Sequence, residues 1–183
     1  MFTKNIKNPV LKQIAEWALA IAIAFFAFYL VDNFIAKTAR VYGGSMETTY
    51  FHNDRVVVNR TAFWFREPRF GEIIAFPYAA DPSQNYIKRV AGVPGDVIDI
   101  IAGNLYRNDQ RLYCEHFSGL GNVFSGTVMF PMTIEEDRFF VLGDNLPISQ
   151  DSRFVEVGNV YIGDIIGRVH FRWFPFADFG RVQ

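Results

Sequence analysis

Apolar and polar positions follow two different periods along the chain, and the change falls near Thr38. Upstream, Trp17 to Val31 reads WALAIAIAFFAFYLV, uncharged and without a polar face through Leu30. A helix at the surface of a soluble domain carries one polar face, so this run predicts a membrane span. The uncharged run alone would cover about 22 Å, short of the roughly 30 Å hydrocarbon layer. Extended from Ile14 to Ile35 it reaches about 33 Å, with Glu16 and Asp32 each near an interface. Trp17 and Tyr29 stand toward its ends, where amphipathic rings favour the headgroup region. Lys4, Lys7 and Lys12 precede the span with no acidic residue among them. Cytoplasmic flanks carry the excess of Lys and Arg, so 1–13 is expected in the cytoplasm, 14–36 in the membrane and 37–183 outside. A cleaved secretory signal has similar ingredients, but no small-x-small site followed by a mature start stands out.

Downstream the pattern shortens to alternating runs rich in β-branched residues. Arg55–Asn59, Glu72–Phe76, Val97–Ile101, Leu105–Arg107, Arg111–Tyr113, Arg138–Leu142 and Gly167–Phe171 all predict strands. Ala102-Gly103-Asn104 and Asn108-Asp109 are turn signals that make the middle of this set a meander. Glu115 to Phe130, a Gly/Ser-containing link, is the least readable stretch. The expected architecture is mostly β, a compact antiparallel sheet domain preceded by one transmembrane helix.

Composition adds exclusions. Of 183 residues, 50% are hydrophobic and 20 are Phe, enough for a core and incompatible with disorder. A net charge of −1 leaves no electrostatic footprint for nucleic acid. Cys114 is the single cysteine, so neither a disulfide nor a thiolate metal cluster is expected, and no cofactor or metal is predicted.

Three local patterns carry chemistry. In Val41-Tyr42-Gly43-Gly44-Ser45-Met46, two glycines let a serine be presented at a bend, although Gly-Gly-Ser alone is commonly a plain turn. In Tyr86-Ile87-Lys88-Arg89-Val90, Lys88 has apolar neighbours. A strand lysine ordinarily snorkels to solvent. Buried, it becomes a usable base, whereas at an unperturbed pKa only about 0.04% is neutral at pH 7. The third pattern, Gly143-Asp144-Asn145 through Ser149, Asp151, Ser152 and Arg153, is a polar loop leaving a strand. It reads either as Asx turns with an ion pair or as the mount that holds a base lysine.

Together and in this order, these patterns resemble the type I signal peptidase (leader peptidase) family in its short, single-span form. Gly44-Ser45-Met46 is similar to the nucleophile box, Asp54–Asn59 to the strand after it, and Phe70–Phe76 to the next box. Lys88-Arg89-Val90 through Val93-Pro94-Gly95-Asp96 resembles the base box, and Gly143 to Arg153 the last one in both residue type and spacing. The resemblance implies that Ser45 attacks the scissile carbonyl and that neutral Lys88 takes its proton. It implies that Ser149 and Ser152 hydrogen-bond near the amine and aim it. Arg89 would pair with Asp144, and Asp151 with Arg153. The Ser45 backbone N–H, beside Gly44, would donate to the oxyanion.

Two departures stand out. Gly43 occupies a position where some members carry a hydroxyl for the oxyanion hole. Glu47-Thr48-Thr49 replaces the usual proline-containing turn, and Thr48 removes a rigid φ constraint. The histidines His52, His116 and His170, candidates for a histidine-based triad, fall in no family motif.

The resemblance further implies that the substrates are secreted preproteins with small residues before the cut. Their extended segments would pair with strands near Ala39–Gly43, including Val41, and near Gln84, Asn85, Tyr86 and Ile87. The lipid bilayer is the other expected partner. Part of Phe63-Trp64-Phe65 and of Phe171, Trp173, Phe174 and Phe176 is expected in its interface. Competing readings are a non-catalytic or client-restricted relative assisting surface-protein assembly, a self-cleaving repressor-type Ser/Lys protease, and a tethered ligand-binding β-domain.

Overall fold

The structure, a computed structural model, describes residues 9–182; Lys4 and Lys7 lie outside the described residues. Helix α1 (Pro9–Leu30) has no buried residue. A π-helical turn (Val31–Ile35) follows and leads without a linker into strand β1 (Ala36–Arg40). The helix thus starts earlier than the apolar run implies, and the chain is already extended at Ala36.

The remaining strands are β2 (Arg55–Asn59), β3 (Ile73–Tyr78), β4 (Asp81–Gly92), β5 (Val97–Ile101), β6 (Asn104–Arg107), β7 (Gln110–Arg111), β8 (Met132–Thr133), β9 (Arg138–Leu142), β10 (Val160–Tyr161), β11 (Gly167–Phe174) and β12 (Gly180–Arg181). The larger sheet runs β1-β2-β11-β3-β4-β9-β10, with β12 on β11. A smaller sheet, β7-β6-β5-β8, contains the predicted meander. Both of its hairpins turn on two residues with positive φ: Ala102 (47°) with Gly103 (74°), and Asn108 (53°) with Asp109 (62°). That backbone twist matches the strands it joins.

Alternation along the strands produces the core. On β2, Val56 and Val58 face inward and pack with Met46, Tyr50, Ile73 and Val169. Met46 and Tyr50 flank the turn that carries Ser45, so that turn is bolted to the core on its inner side. A second cluster (Ile74, Val90, Phe139, Val141) fills the opposite face of β3, β4 and β9. Ile98, Leu105, Phe117, Ile134 and Phe140 join the small sheet to the large one.

Two features of the large sheet position the site. β1 is an edge strand, and β4 meets β9 only from Arg89 onward, so Asp81 to Lys88 keeps one free edge. Three strands separate β1 from β4 in the order, yet Thr38, Ala39 and Gln84 to Ile87 line one groove of about 610 Å³. The sheet therefore curls until these two unpaired edges face each other.

Candidate active site

Ser45 follows β1 in a tight turn held by two backbone bonds, Glu47 N–H to Gly44 O (3.1 Å) and Tyr50 N–H to Met46 O (2.7 Å). Gly43, at φ 79°, occupies the left-handed region that favours glycine. Its N–H donates to His52 Nδ1 (3.2 Å). Its backbone donor is thereby engaged, while among the described residues no group accepts from the Ser45 N–H. That donor remains available for a developing oxyanion.

Lys88 reaches the same point from β4, with Nζ 2.6 Å from Ser45 Oγ. Its side chain is 3% exposed. Burial, which penalises the cation, lowers its pKa from 10.5 to about 8; Asp151 and Asp144 oppose the shift, and Arg153 adds to it. Near pH 7 about 9% of such an amine is neutral, against about 0.04% for a free lysine. Tyr86, stacked on Tyr78 at 4.4 Å, holds its ring centroid 5.0 Å from Nζ and helps exclude water.

The loop from Gly143 to Arg153 mounts both partners through two buried ion pairs. Arg89 forks onto Asp144 (2.8 and 2.7 Å), and Arg153 onto Asp151 (2.8 and 2.9 Å). All four side chains are buried, a setting in which each charge depends on its partner. The loop also holds the Ser45 turn directly: Asn145 N–H donates to Ser45 O (3.0 Å), and Asn145 Nδ2 donates to Gly44 O (3.2 Å).

One expectation is corrected. Neither Ser149 nor Ser152 hydrogen-bonds the Lys88 amine. Ser152 Oγ donates to Gly158 O (2.7 Å) and accepts from Val141 N–H (2.9 Å), closing the base of the loop. Ser149 Oγ is buried without a partner among the described residues and is packed against Gly143. Loop closure by backbone hydrogen bonds explains Ser152: its one proton goes to Gly158 O, so it has no donor left to aim a neutral Lys88 amine.

Three residues carry weight that their motifs did not reveal. A Cβ on Gly143 would overlap both Ser149 Oγ and the Ser45 carbonyl oxygen, so only glycine fits between them. Thr49 donates to Asp144 Oδ2 and accepts from Arg89 Nη2 (3.2 Å), linking the Ser45 turn to the buried ion pair. His52 braces Gly43, as described above, through its ring nitrogen and not as a base. Thr48 differs from the sequence expectation as well. Its φ is 95°, and its hydroxyl donates to His116 O (2.7 Å), so the turn takes a course closed to proline instead of a loosened version of a proline turn. His170, by contrast, is held below the usual imidazole pKa by burial, and no histidine bonds Ser45 among the described residues.

The residues named for substrate contact line two adjoining cavities, Asn85, Tyr86 and Ile87 lining both. Val41, Gly43, Asn85, Tyr86 and Ile87 line a 220 Å³ cavity that contains Ser45 and Lys88. Ala39 and Gln84 line the adjoining groove between β1 and β4.

Comparison with known proteins gives the family. The family model described as signal peptidase, peptidase S26, matches residues 14–174. Signal peptidase IB of Staphylococcus aureus (strain COL) is 31% identical, the alignment covering 92% of this chain and 93% of that protein. Signal peptidase I P of Bacillus subtilis subsp. natto is 30% identical over 97% of this chain and 99% of its own length. A crystal structure of a signal peptidase I from Enterococcus faecalis V583 is 28% identical, with a TM-score of 0.45, covering 56% of this chain and 97% of that one. A match spanning most of α1, the turn at Ser45, β4 with Lys88 and the polar loop leaves one assignment: the chain belongs to the signal peptidase family, peptidase S26.

Proposed function

We propose that this chain is a membrane-bound serine endopeptidase that removes N-terminal signal peptides from secreted preproteins, with Ser45 as nucleophile and Lys88 as its base. The observation that carries this reading is the 2.6 Å approach of a buried lysine amine to the Ser45 hydroxyl. A neutral amine accepts the hydroxyl proton as Oγ attacks the scissile carbonyl carbon. The carbonyl oxygen takes up negative charge and is met by the Ser45 N–H. Protonated Lys88 then returns its proton to the departing amine, leaving an acyl-serine. Water attacks that ester with Lys88 again acting as base, and Ser45 is regenerated.

Substrate geometry follows from the two facing strand edges. An extended segment laid between β1 and the free half of β4 gains main-chain hydrogen bonds on both sides. The small cavity at the dyad suits a residue such as Ala at the first position before the cut, and the adjoining groove serves the third. α1, apolar and without a buried residue, supports membrane anchoring. Lys12 on its leading side supports a cytoplasmic N-terminus, with the β-domain outside.

Preprotein cleavage by wild type, Ser45→Ala and Lys88→Ala tests the proposal. Loss of product in both variants is expected. Equal product from all three would dismiss the dyad.

A further inference from the structure

The groove between β1 and β4 is lined by two cations, Lys37 and Arg40, and by no Asp or Glu. The cavity at Ser45 repeats the pattern, with Arg40 and Lys88 and again no acid. Arg40 belongs to both linings and so stands where cavity and groove join.

Arg40 is held in place without being neutralised. Its Nε and Nη2 donate to Asn53 Oδ1 (3.0 and 2.6 Å), an uncharged acceptor. The guanidinium lies 5.6 Å from the Tyr42 ring centroid. Across the strand pair Arg40 is opposite Arg55, whose guanidinium lies over the Trp173 and Phe174 rings. Like charges directly opposite each other weaken a strand pair. Among the described residues neither arginine forms an ion pair. The acids closest in sequence to these strands are engaged elsewhere. Asp54 accepts from Arg172 (2.8 Å). Asp81 accepts from the Ser83 N–H and hydroxyl (3.1 and 2.6 Å) and from Gln84 Nε2 (2.7 Å). A carboxylate entering the groove therefore meets a positioned guanidinium with no competing anion, and such forks bind carboxylates well.

Strand alternation gives the substrate position. Successive side chains of an extended segment point to opposite faces. In the proposed pose the first and third residues before the cut fill the cavity and the groove, so the second points to the opposite face. Ala39 and Val41 pack inward with the core, and Arg40 between them has the opposite phase. Arg40 thus stands at the rim beside the second residue. We infer that Arg40 is a specificity residue that favours an acidic side chain at the second position before the cut, with Lys37 adding to the attraction along the groove. The inference rests on the proposed peptidase activity and its substrate pose.

The test uses the full chain in detergent micelles and four soluble peptides of one sequence, carrying Ala, Asp or Lys second before the cut, or Asp third. Wild type is expected to show a kcat/KM roughly threefold higher for Asp than for Ala at the second position, as an exposed ion pair allows, and lower for Lys than for Ala. The Asp preference is expected to shrink as salt rises from about 50 to about 500 mM. In Arg40→Gln the Asp/Ala ratio is expected to fall to near one, and Arg40→Glu is expected to favour Lys. Ratios taken within one enzyme cancel any general loss of activity. A wild type that cleaves none of the peptides would dismiss the peptidase reading itself. Cleavage at equal rates for Ala and Asp would overturn the inference alone. So would an Asp preference that survives Arg40→Gln, or an equal gain from Asp placed third. Should both variants be inactive, the wild-type salt series decides, and a preference unmoved by salt would overturn the inference.

Discussion

A lysine amine closed off from water is disfavoured as a cation, and at Lys88 this has one consequence for rate and another for stability. The neutral fraction grows as pH approaches about 8. kcat/KM is therefore expected to rise roughly tenfold per pH unit on the acid side of that value and to level off above it. A pH–rate profile flat from about pH 6 to 9 would contradict a lysine base. For stability, the folded-state pKa lies below the ordinary 10.5, so between the two values the unfolded chain binds more protons and folding strengthens as pH rises. Below about pH 8 the full penalty applies, about 3 kcal/mol. Lys88→Met is thus expected to abolish cleavage while raising the unfolding free energy at neutral pH, as denaturant titration would measure. A less stable variant would show that the ammonium is well accommodated. At Gly143 the constraint is steric. Gly143→Ala pushes a methyl group into Ser149 Oγ and the Ser45 carbonyl, and is expected to lower kcat by about a hundredfold or more. Single-turnover cleavage checks this, and a near-normal rate would show that the loop can yield.

At the scale of elements, the candidate site is the Ser45 turn and a polar loop braced against each other. Thr49 and Asn145 join them directly, and the Glu115–Phe130 link supports them from outside. Ser118 N–H donates to Asp144 O (2.8 Å), and Thr127 and Val128 N–H both donate to Arg153 O (2.9 and 3.1 Å). The family's proline position illustrates how far this packing departs from the usual turn. Thr48 at φ 95° cannot be replaced by a ring that locks φ near −65° without rebuilding the turn. Thr48→Pro is therefore expected to destabilise by about 2 kcal/mol or more, and to slow cleavage instead of restoring a family optimum. Thermal melting together with cleavage rate is the check, and a stabilised, faster variant would refute it.

For the whole molecule, α1 passes through the π-helical turn into β1 without an intervening linker. Tyr113 is 83% exposed, and the proposed orientation, N-terminus inside, would place it outside. Tyr113→Cys in a Cys114→Ser background is expected to react with a membrane-impermeant maleimide on intact cells. Protection until lysis would reverse the proposed orientation.

Much of this was legible in the chain because it depends on local period and residue type. The apolar run marked α1. Alternating β-branched residues marked Arg55–Asn59, Val97–Ile101 and Arg138–Leu142 with their observed ends, and the ordered boxes marked Ser45, Lys88, the Arg89–Asp144 pair and the Asp151–Arg153 pair. The outer half of β4 was hidden, since Pro82, Ser83, Gln84 and Asn85 are all exposed on a free edge and show no alternation. Only the tertiary structure decided that Ser152 closes its own loop, that Gly143 must lack a side chain, and that Thr49 reaches Asp144 across 95 residues. The reason is physical. Residue type and spacing govern which groups can ionise, turn or alternate, whereas dryness around an amine and the partner of a hydroxyl depend on what distant strands bring beside them.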